Sequence, residues 1–315
     1  KKISCKYVTA TNSGTSALHA ALLAFNFKKN DEILVPSLTF VASVNSICYI
    51  GCIPHFVDTE KNYPLIDIEK LENYLKKNTK IVSGKCLNIK TGKFIRGIIV
   101  VHMFGHCVQM NEINQLSKKY NLNVIEDAAE ALGSKINNQQ VGTFGKIGIL
   151  SFNGNKIITT GGGGAILTND KKIYKKCLKL INVGKSGKWK NEHDIIGYNY
   201  AMPSLNASIG ISQLKKLNFL IKFKRKLFRK YEKVFQDLEF IKLLAEKKNY
   251  FSNYWLQTLL LGKENEHKRD HIIQYLKKKN IQVRPVWKLI HTLKPYKNFP
   301  KMDLKNSRKL EEKII

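Results

Sequence analysis

Short apolar runs recur along the first half of the chain, each closed by polar or glycine-bearing residues. Ile33 to Val35, Ile53 to Val57, Gly97 to Val101, Asn123 to Ile125 and Ile147 to Ser151 have the continuous apolar character of buried strands. Between them Ser16 to Leu23, Ile68 to Lys76 and Asn111 to Tyr120 place apolar residues at helical spacing. This alternation predicts an α/β fold with a mostly parallel central sheet. From Pro203 to about Leu238 the helical pattern is nearly unbroken, which predicts one long helix bridging two units. The expected division is a large domain over 1–202, then the linking helix and a smaller C-terminal α+β domain over 203–315. Past the long helix, Tyr254 to Leu261 predicts a strand and Arg269 to Lys279 a helix. Ile281 to Trp287 predicts a strand leading into a loop with His291. A polar, glycine-punctuated loop is predicted over 183–190. Its Gly184-Lys185-Ser186 is not a phosphate-binding P-loop, because the upstream glycine spacing and the following helix are missing.

The candidate chemistry lies where these runs end. Lys156 follows the run Ile147 to Phe152, with Ser151 on one side, Gly161 to Gly164 on the other and no charged neighbour close in sequence. Desolvation in such a setting favours a neutral amine able to attack a carbonyl, whereas a lysine in a flexible glycine loop is the plainer reading. Asp127 closes the segment Val124-Ile125-Glu126-Asp127. In an open α/β sheet ligands meet the carboxyl ends of strands, so this carboxylate can pair with a pyridinium nitrogen, or equally cap a helix. Gly14, Thr15 and Ser16 open an Ala/Leu-rich helix, where free N–H groups and hydroxyls suit a phosphate and also suit ordinary capping. Phe40, after the run Ile33 to Val35, offers a face to a flat ring or a core contact.

Charge changes the picture less than its size suggests. Lys+Arg number 54 against 24 Asp+Glu, a net charge of +30, which first points to nucleic acid or an anionic membrane. The excess is almost all lysine, is spread along the chain and accompanies abundant Asn and Ile, a pattern of coding bias rather than a binding footprint. Neither a nucleic-acid nor a membrane partner is expected. A non-catalytic polycation on the same fold is the reading from another class, and it predicts steeply salt-dependent DNA affinity. Cys5, Cys48, Cys52, Cys86, Cys107 and Cys177 show no pairing rhythm and no metal-site spacing, so reduced thiols in a cytoplasmic protein without a bound metal are expected. No apolar run is long enough to span a bilayer, and no signal peptide precedes the first strand.

Taken in order, the phosphate turn, Phe40, Asp127 and Lys156 resemble the DegT/StrS family of pyridoxal-phosphate-dependent nucleotide-sugar aminotransferases. The resemblance continues through Gly51 to Asp58, Val101-His102-Met103-Phe104-Gly105, Gly197-Tyr198-Asn199-Tyr200 and Gln213-Leu214. The form SFNGNKIITTGGGG is most similar to the branch acting on 4-keto-6-deoxy sugars, as in perosamine, bacillosamine and legionaminic acid pathways. The resemblance implies the aspartate aminotransferase-like fold (fold type I) and pyridoxal 5'-phosphate as cofactor. It also implies a nucleotide diphosphate-sugar substrate, glutamate as amino donor, a role in surface polysaccharide synthesis and a homodimer with shared sites.

Residue by residue it implies that Lys156 is the Schiff-base lysine and proton shuttle, and that Asp127 keeps the ring nitrogen protonated. Phe40 covers a ring face; Gly14, Thr15, Ser16 and Ser151 hold the phosphate; Asn199 reaches it from the neighbouring subunit. Glu130 stands where the family usually has Gln, near the cofactor's phenolic oxygen, and two oxygens there repel unless one carries a proton. Arg284 and His291 match positions that face substrate. Two departures are Gly162, where many relatives have Glu, and Ala201, where many have Arg. A branch with His in place of the lysine performs dehydration, and Lys156 argues against that chemistry. Set against the family, the chain lacks a short lead-in and stops inside the small domain, as a fragment would.

Overall fold

Strands as uniformly apolar as Ile147 to Leu150 are stable only with both faces covered. The computed structural model, which describes residues 3–187 and 192–315, covers them with helices. The central sheet draws on β1 (Tyr7–Thr11), β2 (Glu32–Pro36), β3 (Ile53–Val57), β4 (Thr79–Val82), β5 (Lys85–Asn88), β6 (Phe94–Val101) and β7 (Asn123–Asp127). After the small pair β8 (Lys135–Ile136) and β9 (Gln139–Gln140), β10 (Ile147–Ser151) and β11 (Gly164–Thr168) complete it. Its path runs β1-β11-β10-β7-β6-β2-β3, with β5 and then β4 added beside β6. The strands β10, β7, β6, β2 and β3 are mutually parallel. Only β11 on this path runs the other way, antiparallel to both β10 and β1. The carboxyl ends of β1, β10, β7, β6, β2 and β3 therefore share one edge.

Helix α1 (Gly14–Ala24) lies against β10 and β11 and against α2 (Val41–Tyr49) and α5 (Lys171–Ile181). Ser16 to Leu22 are all buried, so this helix is interior rather than amphipathic. On α3 (Ile68–Asn78) and α4 (Met110–Lys119) only one face is buried, and the two helices pack together. The long helix α6 (Ser204–Phe235) matches the unbroken pattern read from 203 onward, and buries only Leu217, Ile221 and Phe228. The remaining elements are β12 (Ile241–Leu243), β13 (Tyr250–Phe251), β14 (Leu259–Leu261), α7 (Arg269–Lys278) and α8 (Lys305–Lys313). Of these β12 pairs with β14, and β13 joins β8.

The C-terminal segment returns to the sheet by backbone bonds beside Phe56 and by the buried Asp58 carboxylate. Asp58, just past β3, accepts the Ser307 N–H at 2.8 Å and the Asn306 N–H at 3.1 Å in the first turn of α8. It also accepts the Ser307 hydroxyl at 2.6 Å and pairs with the Lys70 ammonium of α3 at 2.5 Å. A carboxylate at that end of a helix meets the positive end of its dipole as well as unpaired N–H groups.

Two strand expectations fail. Of Tyr254 to Leu261 only β14 is a strand, because Tyr254 sits at φ +47 and the backbone N–H groups around it bond to side chains instead of a neighbouring strand. Ile281 to Trp287 is irregular: Ile281 is half exposed and the segment joins no strand. His291, expected in a loop, lies in a short 3-10 turn, Ile290–Thr292. Of the loop read over 183–190, residues 188–190 lie outside the described residues. Among the described residues no helix is long and apolar enough to cross a membrane, and all six cysteines are unpaired.

Candidate active site

The shared edge assembles the site from strand ends. Thr11 and Ser151 both stand opposite Gly164, so the start of α1 and the end of β10 sit on either side of the first residue of β11. Ser13 caps α1, its Oγ accepting the Ser16 N–H at 3.0 Å, while the Ser16 hydroxyl donates to Asn12 Oδ1 at 2.6 Å. Gly14 presses on Ser151 so closely that an added Cβ would stand 3.0 Å from that serine's Cβ. Thr15 is half-buried beside it. The glycine run has distinct uses. Gly161 needs φ +79, Gly163 is enclosed by Thr160 and Met202, and a Cβ on Gly164 would stand 2.5 Å from the Ser13 carbonyl. Gly162 alone meets only Asn12 O, at 3.7 Å, so the glutamate of many relatives has room there.

Two strands along, Asp127 ends β7 in register with Ile149 of β10. Its Oδ2 accepts the Ser43 hydroxyl at 2.7 Å, and its Oδ1 accepts the Ala129 N–H at 3.1 Å. No helix follows β7, so the helix-cap role weighed from sequence is not filled; one oxygen closes a turn instead, and the buried carboxylate stays at the edge. Glu130 follows, with Oε2 accepting the Phe104 N–H at 2.8 Å. Phe104 holds φ +56, a strained conformation for an aromatic, and it aims that N–H at the carboxylate. The amine of Lys156 lies 3.5 Å from Glu130 Oε1. On another side it stands 4.0 Å from the centre of the Trp255 ring. The lysine read as having no charged neighbour in sequence therefore has one in space.

Burial pushes the Glu130 carboxyl up to about 6; the Lys156 ammonium and the Phe104 N–H oppose the rise and Asp127 adds to it. The folded state thus binds this proton more tightly than the unfolded chain. The stability linked to it is complete below the ordinary value of 4.5 and is lost as pH rises through about 6. Glu130→Gln, which cannot ionise, should gain on the wild type by about 2 kcal/mol between pH 4 and pH 8. Denaturant melts of both cofactor-free proteins across that range measure it, and parallel curves would contradict the shift.

The other expected residues are more dispersed. Phe40 is half exposed at the mouth, 5.6 Å from the Trp287 ring, which lies 5.5 Å from Phe104. His291 is buried, with Nδ1 2.7 Å from the Ser37 hydroxyl just past β2. Arg284 is exposed and has no contact that ties it to the other candidates. Asn199 is exposed, and its carbonyl accepts the Asn12 side-chain amide at 3.3 Å within the same chain. Trp255 was missed in the sequence reading, since the apolar stretch around it mimics a strand.

The donor set fits pyridoxal phosphate. An anion-suited helix start, an anchored carboxylate and one enclosed primary amine stand along a single sheet edge, and Gly14 and Gly164 leave the turn bare of side chains. The model of the DegT/DnrJ/EryC1/StrS aminotransferase family matches residues 1–315. GDP-perosamine synthase of Escherichia coli O157:H7 is 39% identical over 293 residues, 92% of this chain and 74% of that protein. The structure of Helicobacter pylori PseC, an aminotransferase involved in pseudoaminic acid biosynthesis, superposes with a TM-score of 0.88 at 27% identity, covering 99% of this chain and 81% of that one. GDP-4-keto-6-deoxy-D-mannose-3-dehydratase of E. coli, solved with bound hydrated pyridoxal phosphate, gives 0.86 at 25% identity, covering 99% and 83%. Matched along its whole length, the chain belongs to the DegT/DnrJ/EryC1/StrS aminotransferase family and is a pyridoxal-phosphate-dependent aminotransferase.

Proposed function

We propose that this enzyme converts a nucleotide-linked 4-keto-6-deoxy sugar to the 4-amino sugar, with L-glutamate as donor, for surface glycan synthesis in the cytoplasm. The observation that carries the reading is the Lys156 amine enclosed by Glu130 and Trp255 at the edge where Asp127 and the Gly14 turn meet. The relatives named for a GDP-linked amino sugar and a GDP-linked keto sugar support the substrate class. Unpaired thiols accord with a reducing compartment.

Pyridoxal phosphate supplies a carbonyl that exchanges amines and a ring that takes up electrons. Gly14, Thr15, Ser16 and Ser151 would hold its phosphate, Phe40 would cover one ring face and Asp127 would face the ring nitrogen. With its oxygens fixed by Ser43 and Ala129, the Asp127 carboxylate does not swing away and would be placed to keep that nitrogen protonated. Glu130, whose carboxyl is pushed up to about 6, would take up a proton more easily than an ordinary carboxylate and so lessen the repulsion expected beside the phenolic oxygen. Lys156 moves the proton at the reacting sugar carbon through its Nζ. Arg284 and His291 would face the substrate. The division into a large unit over 1–202 and a smaller one over 203–315 would let these two residues approach from the second unit.

The test is direct. Purified protein incubated with pyridoxal phosphate, glutamate and GDP-, UDP- or dTDP-linked 4-keto-6-deoxy sugars should yield an amine-bearing nucleotide sugar by mass spectrometry. A protein that binds the cofactor yet aminates none of the three would overturn the substrate class.

The exposed Asn199 side chain would reach the phosphate of a second copy, making a homodimer with shared sites. A ligand that binds only the dimer stabilises it by mass action. Sedimentation should show pyridoxal phosphate favouring the dimer, and Asn199→Ala should weaken cofactor binding by about tenfold, the worth of one hydrogen bond to a charged group. A fully active monomer rules the shared site out.

A further inference from the structure

The indole of Trp255 contacts Lys156 and its neighbour at two places. Its Nε1–H donates to the carbonyl of Asn155 at 2.7 Å, and its ring face lies 4.0 Å from the Lys156 Nζ. One side chain thus fixes the backbone just before the lysine and the lysine's own amine. Trp255 is itself buried, and its backbone N–H donates to Asn253 Oδ1 at 2.8 Å. The amide of Asn253 donates in turn to the Glu130 carbonyl at 2.9 Å. Asn253 is wholly buried and lies where a side chain on Gly105 would have to be, so that glycine is required by its presence. Asn253 therefore ties together the residues that supply both neighbours of the amine, the Trp255 ring and the Glu130 carboxylate.

We propose that Trp255 is a positioning residue for Lys156, its ring face and its Nε1–H bond to Asn155 holding the amine in place beside Glu130. The proposal rests on the assignment of Lys156 as the proton-moving lysine. An aromatic face attracts an ammonium through its quadrupole and gives a neutral amine no comparable attraction, most strongly where water is excluded. Trp is the best of the aromatic faces for this. The ionisable groups facing the pair are Glu130 and, behind it, Asp127, while Lys224 of α6 donates to the Trp255 carbonyl at 3.0 Å. Glu130 favours the ammonium by charge; Trp255 favours it without adding a second ionisable group. Nζ would take a proton from one carbon as a base and return it at the sugar carbon, and the ring gains or loses no electrons.

The experiment measures the amine without relying on turnover. The full chain, freed of cofactor, is labelled with trace acetic anhydride from pH 7 to pH 11, and acetyl-Lys156 is quantified by mass spectrometry. Trp255→Leu keeps bulk and removes the face; Trp255→Phe keeps a face and removes the Nε1–H bond to Asn155. Near pH 8 the leucine variant should label about tenfold faster than wild type, and the phenylalanine variant within about threefold. At pH 11 all three should converge, because the free amine has little to lose with the ring.

A leucine variant equally fast at every pH would mean the ring merely blocks access, and would overturn the proposal. Equal labelling of the leucine and phenylalanine variants would do the same. If the leucine variant fails to fold, the phenylalanine variant decides alone: tenfold faster labelling there refutes a role for the face. In the loaded enzyme Trp255→Leu should lower kcat with KM little changed. A failure of the functional assignment appears instead as absent turnover in wild type, which leaves the labelling result standing.

Discussion

Lys156→Ala and Lys156→Arg should each lower transamination by about four orders of magnitude, while the protein still takes up the cofactor through the Gly14 turn and Ser151. Two roles are lost at once: the amine that exchanges with the donor's amine, and the base that moves the proton at the sugar carbon. Arginine keeps the positive charge beside Glu130, yet a guanidinium does not deprotonate in proteins and cannot serve as that base. Alanine removes everything beyond Cβ and leaves Glu130 without its cation at 3.5 Å. Stopped-flow measurement of single half-reactions separates the chemical step from binding. Turnover near the wild-type level in either variant would remove Lys156 from the mechanism.

Asp127→Asn should cost about two to four orders of magnitude in kcat with the fold intact. Removing one member of a buried charged pair costs about 3–5 kcal/mol, and each 1.36 kcal/mol is a factor of ten in rate. Asparagine keeps the acceptor for the Ala129 N–H at 3.1 Å and the volume beside Ser43, so melting should change little. It loses the negative charge that keeps a ring nitrogen protonated. Wild-type kcat in this variant would reduce Asp127 to the strand-end turn residue it also is.

Lys156, Asp127 and Ser151 were legible because each lies at or just past the end of an apolar strand, and the Gly14 turn because it opens an Ala/Leu-rich helix. Parallel strand direction then does the remaining work, since strands running one way bring their ends to one edge. Trp255 and Asn253 were not legible. They act through side-chain hydrogen bonds from an irregular segment, and the apolar run from 254 reports burial, which a strand and a docked loop share. The same ambiguity produced the strand expected at Ile281 to Trp287, where Ile281 and Arg284 prove exposed. The strand β11 was hidden for the opposite reason. Its first residue belongs to a glycine run that reads as a turn, and only the closeness of Ser13 and Gly14 to Gly164 explains why that residue is glycine. The identity of Glu130 was plain in the sequence, but its proximity to Lys156 depends on the strained Phe104 and needed coordinates.

The place of β1 in the sheet sets an order of events during synthesis. Its hydrogen-bonded partner is β11, among the last strands of the sheet to leave the ribosome, and nothing nearer in sequence pairs with it. Closing so long a stretch of chain is slow, because its entropy must be lost before the contact returns anything. Until both β10 and β11 have emerged, the buried apolar residues of α1 lack part of the sheet that covers them. Nascent chains stalled with β11 still inside the ribosome should therefore expose this helix and recruit chaperones, whereas chains long enough for β11 to have left it should not.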